Sequence, residues 1–219
     1  GESMEDLLLH VDGCGGTSVG AVIALLLVLR IPIEEFEARF APVLRHPQCL
    51  LSPPDVLALV NDYGMDNGSA LREVVGDIIQ SSGLDRTITL GDMRRLLNRE
   101  FACCATCLQT QERIVLSADT TPNMHVVDAV HMSMCVPIVF APCEHLGRLY
   151  IDGTFVENLP NLFPAERTLY LNIGKPSRPT AIDSWYAYLS AIFACGNQKY
   201  QDDRERAIYE SHGERVVTL

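Results

Sequence analysis

The sequence lacks the long apolar segment that a membrane-spanning helix needs. Its longest apolar run is Ala21–Leu29, nine residues in a chain of 219, whereas a helix that crosses a bilayer needs about 20. No basic segment followed by an apolar one opens the chain, so no secretory signal is predicted. The hydrophobic fraction of 47% predicts one globular domain, 1–219, in an intracellular protein, cytoplasmic or peripheral to membranes. Residues 1–3, which precede Met4, are set aside as a candidate expression remnant.

Positive charge is also scarce. The chain has 17 lysines and arginines against 28 aspartates and glutamates, a formal net charge of −11. This balance argues against nucleic acid as a partner and gives no general attraction to anionic membranes. A lipid substrate reached through an apolar surface, with peripheral membrane contact, remains compatible with it. The oligomeric state is left open.

Cysteine is plentiful, but its arrangement does not predict a metal site. Cys104 and Cys107 have the spacing of half a zinc site, yet no second pair follows them. In a chain of this size without a signal, reduced thiols are expected. We therefore predict no metal and no cofactor. The eight cysteines are Cys14, Cys49, Cys103, Cys104, Cys107, Cys135, Cys143 and Cys195.

Apolar periodicity alternates between the helical and the strand type along the chain, which predicts an α/β fold. Thr89 is the expected N-cap of the fifth helix below. Helices are predicted at 19–29, 34–44, 53–62, 69–81, 90–99, 123–135, 183–194 and 201–209. Strands are predicted at 7–12, 101–108, 113–117, 138–141, 148–151, 168–173 and in the C-terminal "RVVTL".

The stretch Gly16-Thr17-Ser18-Val19-Gly20 lies between a predicted strand and an apolar helix. A serine flanked in this way by glycines can form a nucleophile elbow, in which a sharp turn exposes the hydroxyl at a helix N-terminus. The non-catalytic interpretation is a glycine-rich helix start with Ser18 as its N-cap. The strand–turn–helix context favours the nucleophile.

A serine nucleophile needs a base, and the sequence offers two. Ser18, Asp152 and His212 follow the chain order of an α/β-hydrolase triad, although His212 lies in the polar "SHGE" near the end. Alternatively, Asp152 alone acts as the base, because "LYIDGTF" carries it at the end of a predicted strand, before Gly153 and Thr154. The other histidines are interpreted as bystanders: His10, His46, His125, His131 and His145.

Three blocks of sequence, in the order of a known family, resemble the patatin-like phospholipases. They are "GTSVGAVIALLLVLRIPIEEF", "TPNMHVVDAVHMSMCVPIVFAP" and "LYIDGTFVENLP", and the similarity covers about residues 7–175. The resemblance implies a three-layer sandwich with a central, mostly parallel sheet. It also implies a Ser18–Asp152 dyad without histidine, with the Val19 backbone N–H in the oxyanion hole. The implied activity is hydrolysis of phospholipid or acylglycerol esters through an acyl-enzyme, without a metal.

Two departures from the family pattern qualify these expectations. Thr154 stands where the family usually has glycine or alanine, so it is expected to crowd the dyad. The family's Gly-Gly-Gly-x-Arg/Lys-Gly oxyanion loop and its N-terminal strand are not found upstream of Ser18. The sequence is therefore expected to be truncated or to lack the loop naturally, and to hydrolyse esters poorly. A lipid- or protein-binding pseudoenzyme is the alternative function, and a Ser18–Asp152–His212 esterase is the second alternative.

Overall fold

The computed structural model describes residues 10–35, 37–38, 56–164, 168–172, 182, 188, 191–192, 206–210 and 215–218. By its internal contacts the chain divides into two compact units, Gly1–Val156 and Glu157–Leu219. The single-domain expectation stays a prediction.

The first unit alternates helices and strands, which confirms the α/β class. Its helices are α1 (Val19–Leu29), α2 (Ile33–Glu35), α3 (Val56–Asp62), α4 (Ser69–Ser81), α5 (Leu90–Leu97) and α6 (Val126–Ser133). Its strands are β1 (Gly13–Thr17), β2 (Gly64–Asp66), β3 (Glu100–Cys107), β4 (Glu112–Ser117), β5 (Ile138–Phe140), β6 (Cys143–His145) and β7 (Arg148–Asp152).

Strand β3 is the axis of the five-stranded central sheet, and β1 and β7 share one of its edges. β4 pairs with 102–107 along one edge, so β1, which pairs with 100–104, and β7, which pairs with 105–107, lie along the other. β1 runs parallel to β3 and β7 runs antiparallel to it. Their carboxyl ends therefore meet, with Thr17 opposite Cys104 and Asp152 opposite Ala105.

The sheet is mixed, which corrects the expectation of a mostly parallel one. Only the β1–β3 pairing is parallel among its described pairings, while β3–β4, β3–β7 and β6–β7 are antiparallel. For β3–β4 and β6–β7 the reason is that short connections join the strands, and short connections permit only antiparallel neighbours. A separate two-stranded sheet pairs β2 with β5 in parallel.

The core forms around β3 and the apolar helices next to it. Seven successive residues of β3, 101–107, are buried, so both faces of this strand are covered, as a layered α/β fold requires. Helix α1 packs on β1 and β3, and α6 packs on β3 and β7. Most of α1 is buried, which explains why its sequence is apolar on all sides.

Several local predictions agree with the structure and others need correction. The bounds of α1 and α4 are confirmed, and Thr89 caps α5 by accepting a hydrogen bond from the Asp92 N–H (3.1 Å). The strand predicted at 7–12 lies instead at Gly13–Thr17, since 10–12 are not strand and 7–9 are outside the described residues. Strands β2 and β6 were not predicted. Much of the predicted helices 34–44, 183–194 and 201–209 also lies outside the described residues.

The second unit contains a parallel pair of strands, β8 (Tyr170–Asn172) and β9 (Val216–Thr218), so the C-terminal strand prediction is confirmed. Residues 206–210 are helical.

Two further observations concern the described part of the chain as a whole. The described cysteines, Cys14, Cys103, Cys104, Cys107, Cys135 and Cys143, are free thiols; Cys49 and Cys195 are outside it. Among the described helices, none has the length and apolar character to cross a bilayer.

Candidate active site

Ser18 occupies a strained turn between β1 and α1. Its φ of 55° and ψ of −127° fall in a region that residues with a side chain rarely adopt and that costs about 1–3 kcal/mol. The turn is so tight that a Cβ at position 16 would lie 2.2 Å from the carbonyl oxygen of Gly20, so Gly16 cannot be replaced without displacement of the backbone. This geometry is that of a nucleophile elbow.

The Ser18 hydroxyl donates a hydrogen bond of 2.6 Å to Oδ2 of Asp152. The pair exists because β1 and β7 bring their carboxyl ends together on one edge of β3. Gly153 makes this approach possible, since a Cβ there would lie 2.5 Å from the Cys104 carbonyl oxygen and 2.8 Å from Cγ2 of Thr17. The structure thus brings together the two residues that the sequence predicted as a dyad.

Asp152 is buried, with a relative exposure of 1%, and this burial raises the pKa of its carboxyl to about 6. Hydrogen bonds from Ser18 and Thr154 oppose the increase because they favour the charged form. The backbone of Asp152 is also fixed: its N–H donates to the Cys135 carbonyl (2.9 Å) and its carbonyl accepts from the Thr106 hydroxyl (3.0 Å). The carboxylate is therefore rigidly placed and ionised at neutral pH.

Thr154 supports the carboxylate and does not crowd the dyad, contrary to the expectation from the family pattern. Its N–H (2.8 Å) and its hydroxyl (2.9 Å) both reach Oδ1 of Asp152, the oxygen that Ser18 does not use. A glycine or alanine would keep the first bond and lose the second. Thr154 therefore adds a donor that holds the carboxylate.

The backbone next to Ser18 offers the Val19 N–H to a developing negative charge. The N–H of Ser18 itself donates to the Ser133 hydroxyl (3.1 Å). Val19 is the first residue of α1, where an N–H has no acceptor within the helix. Its position fits the predicted oxyanion role, which stays a prediction. The Val19 side chain is 45% exposed and places apolar surface beside Ser18.

Sequence reasoning missed several residues that the structure places at or near this pair. Ser133 and Thr106 hold the backbone, and Ser133 lies within the second of the three sequence blocks. His212 lies outside the described residues, so the triad alternative is untested.

His131, interpreted as a bystander, lies in a buried cluster with Cys135 and Cys143, and its ligand atoms and theirs are within 4.8 Å of one another. Hydrogen bonding with Cys135, and then with His131, lowers the pKa of the Cys143 thiol to about 5. The His-x3-Cys spacing at the end of α6 was the available signal.

The fold and this pair define a class: an α/β protein that presents a serine at a strand-to-helix elbow, facing a buried aspartate at the end of a neighbouring strand. Within that class the chain belongs to the patatin-like phospholipase family, whose model matches residues 2–162. The matched range includes both Ser18 and Asp152.

The individual proteins that the chain resembles have low sequence identity to it. The chain is 27% identical over 151 residues to the uncharacterized protein R571 of Acanthamoeba polyphaga mimivirus, covering 69% of this chain and 50% of that protein. It is 22% identical over 148 residues to the probable lipid hydrolase 463L of Invertebrate iridescent virus 6, covering 66% and 50%. The chain thus spans about half the length of these curated relatives. It also resembles the crystal structure of VipD from Legionella pneumophila, with a TM-score of 0.48 and 16% identity, over 89% of this chain and 49% of VipD.

Proposed function

We propose that this chain is a lipid acyl hydrolase in which Ser18 is the nucleophile and Asp152 the general base. The observation that carries the proposal is the 2.6 Å hydrogen bond from the Ser18 hydroxyl to Oδ2 of Asp152, made at a strained elbow. Membership of the patatin-like phospholipase family and similarity to a probable viral lipid hydrolase support a lipid ester as substrate. We infer phospholipids or acylglycerols as the substrate class.

The proposed reaction begins with transfer of the Ser18 proton to Oδ2 of Asp152 while Oγ attacks the ester carbonyl carbon. The Val19 N–H donates to the oxyanion that forms, and the N-terminus of α1 favours its charge. Collapse of the tetrahedral intermediate breaks the bond to the leaving alcohol, which takes the proton from Asp152. Water then attacks the acyl-serine while Asp152 takes its proton. The bond from the acyl carbon to Oγ breaks, Asp152 returns the proton to Oγ, and the fatty acid leaves.

The test compares variants on a p-nitrophenyl ester and on phospholipid vesicles. We expect Ser18→Ala to lower kcat by about 10³-fold or more, because loss of a nucleophile leaves only the binding contributions to catalysis. Ser82→Ala is the matched control, since its hydroxyl donates to the Ile79 carbonyl (2.6 Å) at the end of α4. Labelling by a fluorophosphonate should follow the same pattern, with the adduct on Ser18.

Two outcomes would replace the proposal with an alternative. The pseudoenzyme would be favoured if the chain binds vesicles but shows neither Ser18-dependent turnover nor Ser18-dependent labelling. A loss of kcat in His212→Gln as large as that in Ser18→Ala, with the fold intact, would favour the triad. Under the dyad mechanism His212→Gln keeps its activity.

A further inference from the structure

A second group of reactive side chains lies outside the Ser18–Asp152 pair. His131 comes from α6, Cys135 follows that helix, and Cys143 begins β6. The three side chains are buried, with relative exposures of 2%, 0% and 8%. One ligand atom from each lies within 4.8 Å of the others, and the Cys143 sulfur is 3.2 Å from Nδ1 of His131.

The imidazole is oriented by its surroundings so that Nδ1 faces the sulfurs. Its opposite edge lies against Gly68, where a Cβ would be 1.8 Å from Nε2. Nε2 has no hydrogen-bond partner among the described residues. When Nε2 carries the proton, Nδ1 offers its lone pair to the cluster. Because Gly68 (φ 74°) has no Cβ, the ring has room to lie against its backbone in this orientation.

Two cysteine sulfurs and one imidazole are the donor set that Zn²⁺ prefers. In a tetrahedral site with Zn–S near 2.3 Å and Zn–N near 2.0 Å, neighbouring ligand atoms stand roughly 3.5–3.8 Å apart. In the cluster the Cys143 sulfur lies 3.2 Å from Nδ1 of His131, and all three ligand atoms lie within 4.8 Å of one another. Small side-chain rotations would therefore be enough to close the site around an ion.

The cluster also has access to solvent on one side. His131 and Cys143 line a cavity of about 410 Å³ that is shared with polar side chains, including Glu144 and His145. A fourth ligand could reach an ion from this cavity. The same cavity provides the entry path that a metal site needs.

We propose that His131, Cys135 and Cys143 bind one Zn²⁺ ion, with water from the cavity as the fourth ligand. The Cys104/Cys107 pair cannot form such a site by itself. Both residues lie on β3, and positions three apart on a strand project from opposite faces.

The bound ion would connect the end of α6 to β6. The effect extends to Asp152, whose N–H donates to the Cys135 carbonyl.

The test uses the full chain, reduced and stripped of metal, and titrated anaerobically with Co²⁺ and then with Zn²⁺. One equivalent of Co²⁺ should give thiolate-to-cobalt charge-transfer bands and the visible bands of tetrahedral cobalt, and Zn²⁺ should abolish both. Zn²⁺ at 100 times its Kd should raise the Tm by about 5–10 °C. It should also protect Cys135 and Cys143, but not Cys14, from alkylation.

Variants locate the site. Cys135→Ser, Cys143→Ser and His131→Gln should each weaken Co²⁺ binding by more than the roughly 10–100-fold that loss of an outer-shell partner costs. Cys107→Ser is the matched control and should bind normally. Absence of the cobalt bands in the wild-type chain would overturn the proposal, whether or not the variants fold. A Cys135–Cys143 disulfide in protein isolated without reductant, or normal binding by the three variants, would also overturn it.

Discussion

At the scale of single residues, the protonation state of Asp152 contributes to stability and, under the proposed mechanism, determines activity. Burial raises the pKa of its carboxyl from 3.8 to about 6, so the folded protein retains a proton there that the unfolded chain has lost between these two values. As a base Asp152 must be ionised, and activity therefore needs the state that folding disfavours. This opposition is common where burial prepares a group for catalysis.

The pH dependence of the reaction follows from that pKa. We expect kcat/KM to rise with pH through about 6 and then to level off, because the free enzyme must lose the Asp152 proton to act as a base. Initial rates on a soluble ester between pH 4.5 and 8.5 measure this limb. A profile that is flat through pH 6 would argue against Asp152 as the base.

As pH rises, the stability contributed by Asp152 should fall where kcat/KM rises. Since the folded state binds the extra proton on Asp152, the contribution of this carboxyl to the free energy of unfolding falls as pH rises from about 4 to 6 and is level above. Asp152→Asn removes this dependence and should stabilise the fold at neutral pH by up to about 3 kcal/mol, while lowering kcat strongly. Urea unfolding at pH 4 and pH 7.5 tests the difference, with Asp62→Asn, at an exposed position of α3, as control. Equal effects of Asp152→Asn at both pH values would contradict it.

Thr154 offers a finer test of the same carboxylate. Thr154→Ala removes the hydroxyl that donates to Oδ1 of Asp152 but keeps the backbone donor. With one donor fewer, the ionised form of Asp152 is less stabilised relative to the protonated form. The rise of kcat/KM with pH should therefore move to higher pH by about 0.5–1 unit. Thr154→Ser keeps the hydroxyl and should restore the wild-type limb. A shift of the same size in the serine variant would show that the methyl group, not the hydroxyl, sets the pKa.

At the scale of elements, the turn between β1 and α1 depends on one glycine more than on the other. A Cβ on Gly16 would lie 2.2 Å from the Gly20 carbonyl oxygen, whereas a Cβ on Gly20 would meet nothing within 4 Å. We expect Gly16→Ala to destabilise the fold by about 1–3 kcal/mol, a Tm loss of about 2–10 °C. Gly20→Ala should leave the Tm unchanged or raise it, because alanine is the better helix former. Calorimetry of the two variants decides this, and equal losses would contradict it.

Elements with a local signal could be predicted from the sequence. The continuous apolar run set the bounds of α1, and Thr89 marked the start of α5. The two unpredicted strands, β2 and β6, have three residues each, too few for any period to show. Strand β1 was placed too early because its sequence, "GCGGT", is mostly glycine, which has low intrinsic strand preference.

The sequence blocks identified the individual residues of the site but not the contact between them. Ser18 and Asp152 were found because each ends a strand within a recognisable block. Their 2.6 Å contact depends on two strands that share an edge of β3, and pairing between segments so far apart has no local signature. The His131–Cys135–Cys143 cluster was missed for the same reason, since β6 supplies one of its members.

At the scale of the whole molecule, the net charge of −11 should govern how the protein meets lipid surfaces. Repulsion from anionic vesicles is screened by salt over about 8–10 Å at physiological ionic strength. We therefore expect turnover on anionic phospholipid vesicles to increase with added salt, and turnover on zwitterionic vesicles to change little. Initial rates at 20 mM and 300 mM NaCl (about 20 Å and 6 Å of screening) measure this. A decrease with salt on anionic vesicles would reveal a local basic surface that outweighs the net charge.

The placement of the Ser18–Asp152 pair also has a consequence for biosynthesis. The two residues are 134 positions apart, and translation adds about 5–20 residues per second. Ser18 is therefore made roughly 7–27 s before Asp152. The apolar helix α1 is also made before β3, the strand on which it packs. The Ser18–Asp152 pair cannot form until β7 joins β3, so under the proposed mechanism a ribosome-bound chain stalled before residue 152 should not hydrolyse lipid esters.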